Sequence, residues 1–201
     1  EGIGAGALLE DGELDRCIIR ACRASAGGGI FTRNASWVRS TLIISNDAGM
    51  GGGIILGDGS IACNVTIADN TASTTAGGAL LLGGQLWNSI VVRNMAPTNE
   101  NWQRNDGSIS FSCAQPHPGG FDSTDADPGL QPDYTIPLSS PAVDHGYTFA
   151  WMSSGSDLAG DMRIYGNAPD MGAYEAIPEP AGVLVVLACS LLIRRCCRAD
   201  A

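Results

Sequence analysis

"LDRCIIRACRA" (14–24), "VRSTLIISNDA" (38–48), "ACNVTIADNTA" (62–72) and "LWNSIVVRNMA" (86–96) begin 24 residues apart, with no gap between one start and the next. Written as rows, they align Leu14/Val38/Ala62/Leu86, Ile19/Ile43/Ile67/Val91, Cys22/Asn46/Asn70/Asn94 and Ala24/Ala48/Ala72/Ala96. The later rows follow glycine clusters, "GGGIF" (27–31), "GGGII" (51–55) and "GGALL" (77–81), and "GAGAL" (4–8) is a degenerate version before the first. A fixed period of this length signals stacked units, each burying its apolar edge on the next.

Two repeat architectures compete for that period. Ala62, Val65, Ile67 and Asn70 fall on the leucine-rich pattern LxxLxLxxN, but its second apolar column reads Cys17/Thr41/Val65/Ser89. No row supplies a helix either, because each Asn is followed by small residues and glycines that break helices. A second β-rich piece comes instead, such as Ile54-Ile55-Leu56 or Leu80-Leu81-Leu82. Short strands joined by glycine bends predict an all-β fold, a parallel β-helix of about four 24-residue coils over residues 1–96. Coils stack at the ~4.8 Å interstrand spacing, so identical columns lie above one another. Asn46, Asn70 and Asn94 are then placed to pass amide hydrogen bonds along the axis. Column 19/43/67/91 is expected to face inward.

The glycine start followed by NxA resembles the repeats of polymorphic outer-membrane-protein adhesins and related surface proteins. That resemblance implies a right-handed β-helix of the pectin-lyase-like kind. Beyond Met95 the period fails and turn residues crowd in, so residues 97–176 read as an irregular last coil plus a cap. Within this part "NSIVVRN", "DADPGL", "SPAVDHG" and "DMGAYE" resemble, in that order, the C-terminal half of the choice-of-anchor Q domain. The family is a bacterial surface module found with different C-terminal anchors, and the resemblance supplies no activity. Gly129 stands where the family has an apolar residue. Pro141-Ala142-Val143 is expected as a short strand before a turn, and Asp170–Glu175 as a closing strand.

Composition narrows the partners. The net charge is −10 and every one of the 11 basic residues is Arg. Residues 1–176 carry 8 Arg against 19 Asp and Glu, so a phosphate-binding surface is not expected and nucleic acid is not the expected partner. Cys17, Cys22, Cys63 and Cys113 lack paired CxxC spacing and read as free thiols in repeat columns, although an oxidising envelope would permit disulfides. Residue 1 is Glu and no secretory leader is visible, so an N-terminal region carrying one is expected upstream.

Residues 177–201 form the third region, "IPEPAGVLVVLACSLLIRRCCRADA". From Ala181 to Ile193 no residue is charged; as a helix this run spans ~20 Å against a hydrocarbon core of ~30 Å. A buried terminal helix, a membrane anchor and an address label all compete for it. A buried helix should carry a polar stripe, and this run is apolar all round. Pro178-Glu179-Pro180, the apolar run and then Arg194 and Arg195, with Arg198, resemble the PEP-CTERM sorting signal of Gram-negative envelope proteins. The resemblance implies recognition and removal by an exosortase-type membrane enzyme, a transient anchor with the rest of the chain outside.

Enzymes built on β-helices need carboxylates or bases stacked on one outward face. Here the columns flanking the inward one read Ile18/Leu42/Thr66/Ile90 and Arg20/Ile44/Ala68/Val92, which suit a surface covered by another segment or a partner. Asp122, Asp125 and Asp127 are a weak calcium candidate or a solvated turn, and they lack EF-hand spacing. Asp157, Asp161, Arg163, Asp170 and Glu175 are dense enough for a salt-bridge network, with a catalytic Arg163–acid pair as the alternative. His117 and His145 are the only histidines, and Asp144-His145 reads as turn chemistry. No catalytic residue and no cofactor is assigned. The expected function is a non-catalytic, exported surface or extracellular-matrix protein that binds polysaccharide or another surface component. The alternatives are a carbohydrate-active lyase or hydrolase with its catalytic coils upstream, and a spacer without a ligand.

Overall fold

The computed structural model describes residues 2–178, so the expected hydrophobic helix, with Glu179, Pro180, Arg194 and Arg195, lies outside the described residues. Within them, no helix is long and apolar enough to cross a membrane. The described residues are all-β, with sixteen strands and a single 3-10 turn at Ala150–Ser153. Every strand pair is parallel, and the strands stack into a β-solenoid of about four 24-residue turns.

The first three coils each contribute to three sheets. One stacks Ile18–Arg20, Leu42–Ile44, Thr66–Ala68, Ile90–Val92 and Cys113–Ala114; we call it the covered sheet. A second stacks Arg23–Ala26, Asp47–Met50 and Thr71–Thr75. The largest holds two strands per early coil, such as Ile30–Arg33 and Trp37–Arg39, which fuse in the fourth coil into the nine-residue strand Ala79–Trp87. On its far side lies Trp102–Ser110, with Leu86 opposite Ile109 and Ile90 opposite Cys113, an offset of 23. Stacking thus continues through residue 114 in a shortened coil whose spacing hides it from a 24-residue pattern.

The rows keep a strict offset of 24, with Ile19 beside Ile43, Ile43 beside Ile67 and Ile67 beside Val91. The glycine starts do not: Ala7 pairs with Ile30, Ile30 with Ile54 and Ile54 with Ala79, offsets of 23, 24 and 25. The extra residue enters where the register shifts between Ala72 and Thr75, and it is given back around Gly83.

Corners are single residues in the left-handed region. Arg16, Ser40, Asn64, Asn88 and Phe111 stack at φ between 41° and 53°, and Ala21, Ser45, Asp69 and Arg93 between 55° and 59°. Asn and Asp visit this region readily, whereas Ala, Arg and Phe are held there by the coils above and below.

Inside, Ile43, Ile67 and Val91 are fully buried and join Val38, Leu56, Leu86 and Ile109 in one cluster, with Ile19 partly buried beside them. Each such side chain contributes about 1.5–3 kcal/mol on leaving water. Asn46, Asn70 and Asn94 line the same interior as a continuous amide ladder. The Asn70 amide donates to Asn94 Oδ1 at 2.9 Å and to the Ile43 carbonyl at 2.9 Å, and the Asn46 amide donates to Asn70 Oδ1 at 3.0 Å. Glycine and asparagine are one device: a Cβ on Gly29, Gly53 or Gly78 would come within 2.8, 3.0 and 2.7 Å of the amide nitrogens of Asn46, Asn70 and Asn94. The ladder terminates on Asn101, whose Oδ1 accepts the Asn94 backbone N–H at 2.9 Å and its amide at 3.1 Å.

The solenoid is closed differently at its end and along its side. At the C-terminal end, residues 115–126 turn back across the last rung, with Phe111 N–H donating to Phe121 O and Thr124 N–H to Ser112 O. Residues 127–178 then lie along the outer face of the covered sheet. Leu42, Ile44 and Ala68 pack under Leu130, Tyr134, Leu158 and Tyr174, while Ile90 and Val92 pack under Ile136, Ala142 and Met171. The flanking columns are therefore sealed by the chain's own C-terminal segment, which stops short of the first coil: Ile18 is 53% exposed.

That cover contains no strand at 141–143 or 170–175, in contrast to both expectations. Its backbone is satisfied by scattered bonds within the cover, such as Met171 N–H to Ala142 O and Leu158 N–H to Ala173 O, and by groups of the solenoid, with no ladder. Asn88 grips Tyr147 through both backbone groups at 2.8 Å, Asn64 donates to Asp170 O, and Thr66 Oγ1 accepts the Ala173 N–H. Gly172, at φ 99°, sits where a Cβ would collide with Ile90 and Thr66, so the glycine of "DMGAYE" is a seat for the sheet below.

Candidate functional site

The five charged residues of 157–175 divide into a buried core and an exposed rim. Arg163 and Glu175 form an ion pair at 2.6 Å with both side chains fully buried. Arg163 also donates to the carbonyls of Gly172 and Ala173. Glu175 accepts the backbone N–H groups of Tyr165 and Asp170; Asp170 accepts those of Asp144 and Ala176; Asp157 accepts those of Asp161 and Glu175. Asp161 is exposed and offers the cluster its backbone. Burial pushes the Glu175 carboxyl up to about 7 against the pull of Arg163, and burial also raises Asp170. A fully buried guanidinium with backbone carbonyls and a carboxylate around it pins the cover together; it is not presented to a substrate.

Asp122 and Asp125 are exposed on the end-closing loop, and Asp127 is exposed at the start of the cover, where it accepts the Gly129 N–H. Among the described residues no three His, Cys, Asp or Glu side chains converge in a metal-ligating group. His117 bonds Ser123 O and the Gly119 N–H within the same loop, and His145 is exposed. Pro178, the first residue of Pro178-Glu179-Pro180, is exposed where the described residues end. Cys17, Cys22, Cys63 and Cys113 are free thiols. Burial pushes both Cys63 and Cys113 up to about 12, in Cys113 with Asp127 and Asp125 adding to the effect, which leaves these two as protonated packing residues.

A concave site also lies beside the last rung. Between the start of the last rung and the end-closing loop lies a cleft of about 550 Å³ lined by Asn99, Glu100, Asn101, Trp102, Gln103, Arg104, Gln115 and Pro116. The Trp102 indole N–H donates to Pro116 O at 2.9 Å, and the Arg104 guanidinium lies 6.0 Å from its ring centre. Gln103 accepts from Thr75 Oγ1 at 2.6 Å and from the Asn99 amide at 3.2 Å, and donates to Asn105 at 2.7 Å. The Gln115 amide donates to Asp125 O at 3.1 Å. Sequence reading missed this cleft, because its residues belong to the shortened coil and to a loop folded back on it. The available signal was the amide- and tryptophan-rich run "NENWQRN" at 99–105 of an otherwise turn-like segment.

Comparison of the chain with protein-family models, with curated proteins and with solved structures found no match.

Proposed function

We propose that this chain is a non-catalytic, exported surface or extracellular-matrix protein of a Gram-negative envelope, a right-handed β-helix of the choice-of-anchor Q type that binds polysaccharide or another surface component. Its C-terminal tail is a PEP-CTERM-like signal, a transient membrane anchor handled by an exosortase-type enzyme. The observation that carries the non-catalytic reading is the fate of the covered sheet. Past the first coil its outward columns, one face on which coils could align an acid and a base along a polymer, are buried under residues 127–178. The sorting reading rests on the order of Pro178-Glu179-Pro180, apolar run and arginines.

Two readouts on one preparation of exported protein test both parts. Intact mass is expected to show loss of the residues beyond about Pro180, and Glu179→Ala to leave unprocessed protein in the membrane fraction. Incubation with acidic and neutral polysaccharides is expected to release no new reducing ends and no unsaturated product. Retention of Ala201 would remove the sorting reading. Cleavage that disappears on replacing Asp122, Asp125 or Asp127 would replace the binding protein by an enzyme.

A further inference from the structure

We infer that the cleft beside Trp102 is a binding site for a neutral oligosaccharide, which rests on the surface-binding reading above and gives it a place and a ligand class. Its volume of about 550 Å³ falls within the ~300–1,000 Å³ usual for small-molecule sites. The partly buried indole of Trp102 packs on the solenoid core and is tethered by its N–H to Pro116 O, with the Arg104 guanidinium 6.0 Å from its ring centre, so its orientation is set before a ligand arrives. An indole face suits the C–H face of a pyranose, and its polar edge is already satisfied.

Around it stand Asn99, Gln103 and Gln115, whose remaining groups, the Asn99 and Gln115 side-chain oxygens and one amide N–H each of Gln103 and Gln115, can meet sugar hydroxyls. They are pre-ordered by Thr75, Asn105 and the Asp125 carbonyl, which lowers the ordering cost of binding. Charge excludes the acidic polymers: the lining has one base, Arg104, against one acid, Glu100, on a chain of net charge −10.

An extended peptide is the competing occupant, since Trp102–Ser110 is the last strand of its sheet. Its edge is blunted. Arg104 pairs with Leu81 but Asp106 with Leu82, leaving Asn105 as a bulge, and Pro116 stands across the cleft. Bulges and prolines are what keep a strand edge from accepting another strand.

The test titrates the full chain, in micelles, with cellotetraose, laminaritetraose and chitotetraose, and with polygalacturonate as the acidic comparison, by calorimetry. Saturable binding to a neutral tetrasaccharide is expected, with Trp102→Ala weakening it about tenfold or more, as loss of the main apolar contact should. Trp102 also packs on the solenoid core, so Gln115→Ala, which alters only a loop-facing amide, serves as the second variant and is expected to weaken binding with an unchanged melting temperature. Trp87→Phe, in the separate aromatic cluster with Phe111, Tyr147 and Phe149, is expected to leave affinity unchanged. Neutral-sugar binding indifferent to both Trp102→Ala and Gln115→Ala would overturn the cleft while leaving glycan binding elsewhere. Preference for polygalacturonate would overturn the ligand class. No binding to any of the four would overturn this site and the polysaccharide part of the proposed function together.

Discussion

Ile67→Asp is expected to abolish cooperative folding of the solenoid. Ile67 is fully buried in the middle coil, with Ile43 below and Val91 above at a strict register, so the carboxylate would have no water and no partner. A buried unpaired charge lies among the most costly substitutions, about 4–5 kcal/mol, close to the whole stability of many domains. Ile44→Asp separates two accounts of the outward columns. On a bare face it would be mild; here Ile44 is 8% exposed beneath the cover, so a clear loss is expected, smaller than for Ile67 because the cover can lift away. Ile18→Asp, in a flanking column but beyond the cover, is expected to be nearly neutral. Melting temperatures of the three variants check this order, and equal losses would show that the register is wrong.

Arg163→Met is expected to cost about 3–5 kcal/mol, because it strands the Glu175 carboxylate in a dry cluster with Asp170 and Asp157 beside it. The deficit depends on pH with a definite sign. Burial already raises Glu175 above its ordinary value to about 7, and removing Arg163 takes away an influence that lowers it. A carboxyl whose folded value is raised binds its proton more tightly folded than unfolded, so stability falls as pH rises from the ordinary carboxylate range through the raised value. The Arg163→Met deficit is therefore largest near pH 8 and shrinks toward pH 5, as read by urea denaturation at both. Adding Glu175→Leu to Arg163→Met should recover much of the loss, since the pair and its desolvation cost disappear together. A pH-independent deficit would show that Arg163 acts through packing alone.

How far the sequence could be read follows from where each signal lies. Columns 19/43/67/91 and Asn46/Asn70/Asn94 were legible because stacking forces identical environments every 24 residues, and a periodic environment writes a periodic sequence. Asn101 was not legible: it closes the ladder from the glycine position of a coil that skips a strand, seven residues after Asn94. The apolar flanking columns implied a cover but could not name it, because residues 127–178 follow the sheet without a ladder of their own and use Asn64, Asn88 and Thr66 as partners. Gly129 and Gly172 show the same limit. Both have positive φ in turns of that cover, and nothing periodic marks them.

The central claim is that the chain seals its own outward face, and hydroxyl-radical footprinting of the intact chain, read by peptide mass spectrometry, tests it with an internal reference. Ile18 and Ile90 stand in one flanking column of the covered sheet, the first beyond the cover and the second beneath it. The account predicts rapid oxidation of Ile18 with Ile44, Ile90 and Val92 protected until denaturant is added. Oxidation of Ile90 and Val92 at the rate of Ile18 in native protein would contradict it, leaving the face open to a polymer.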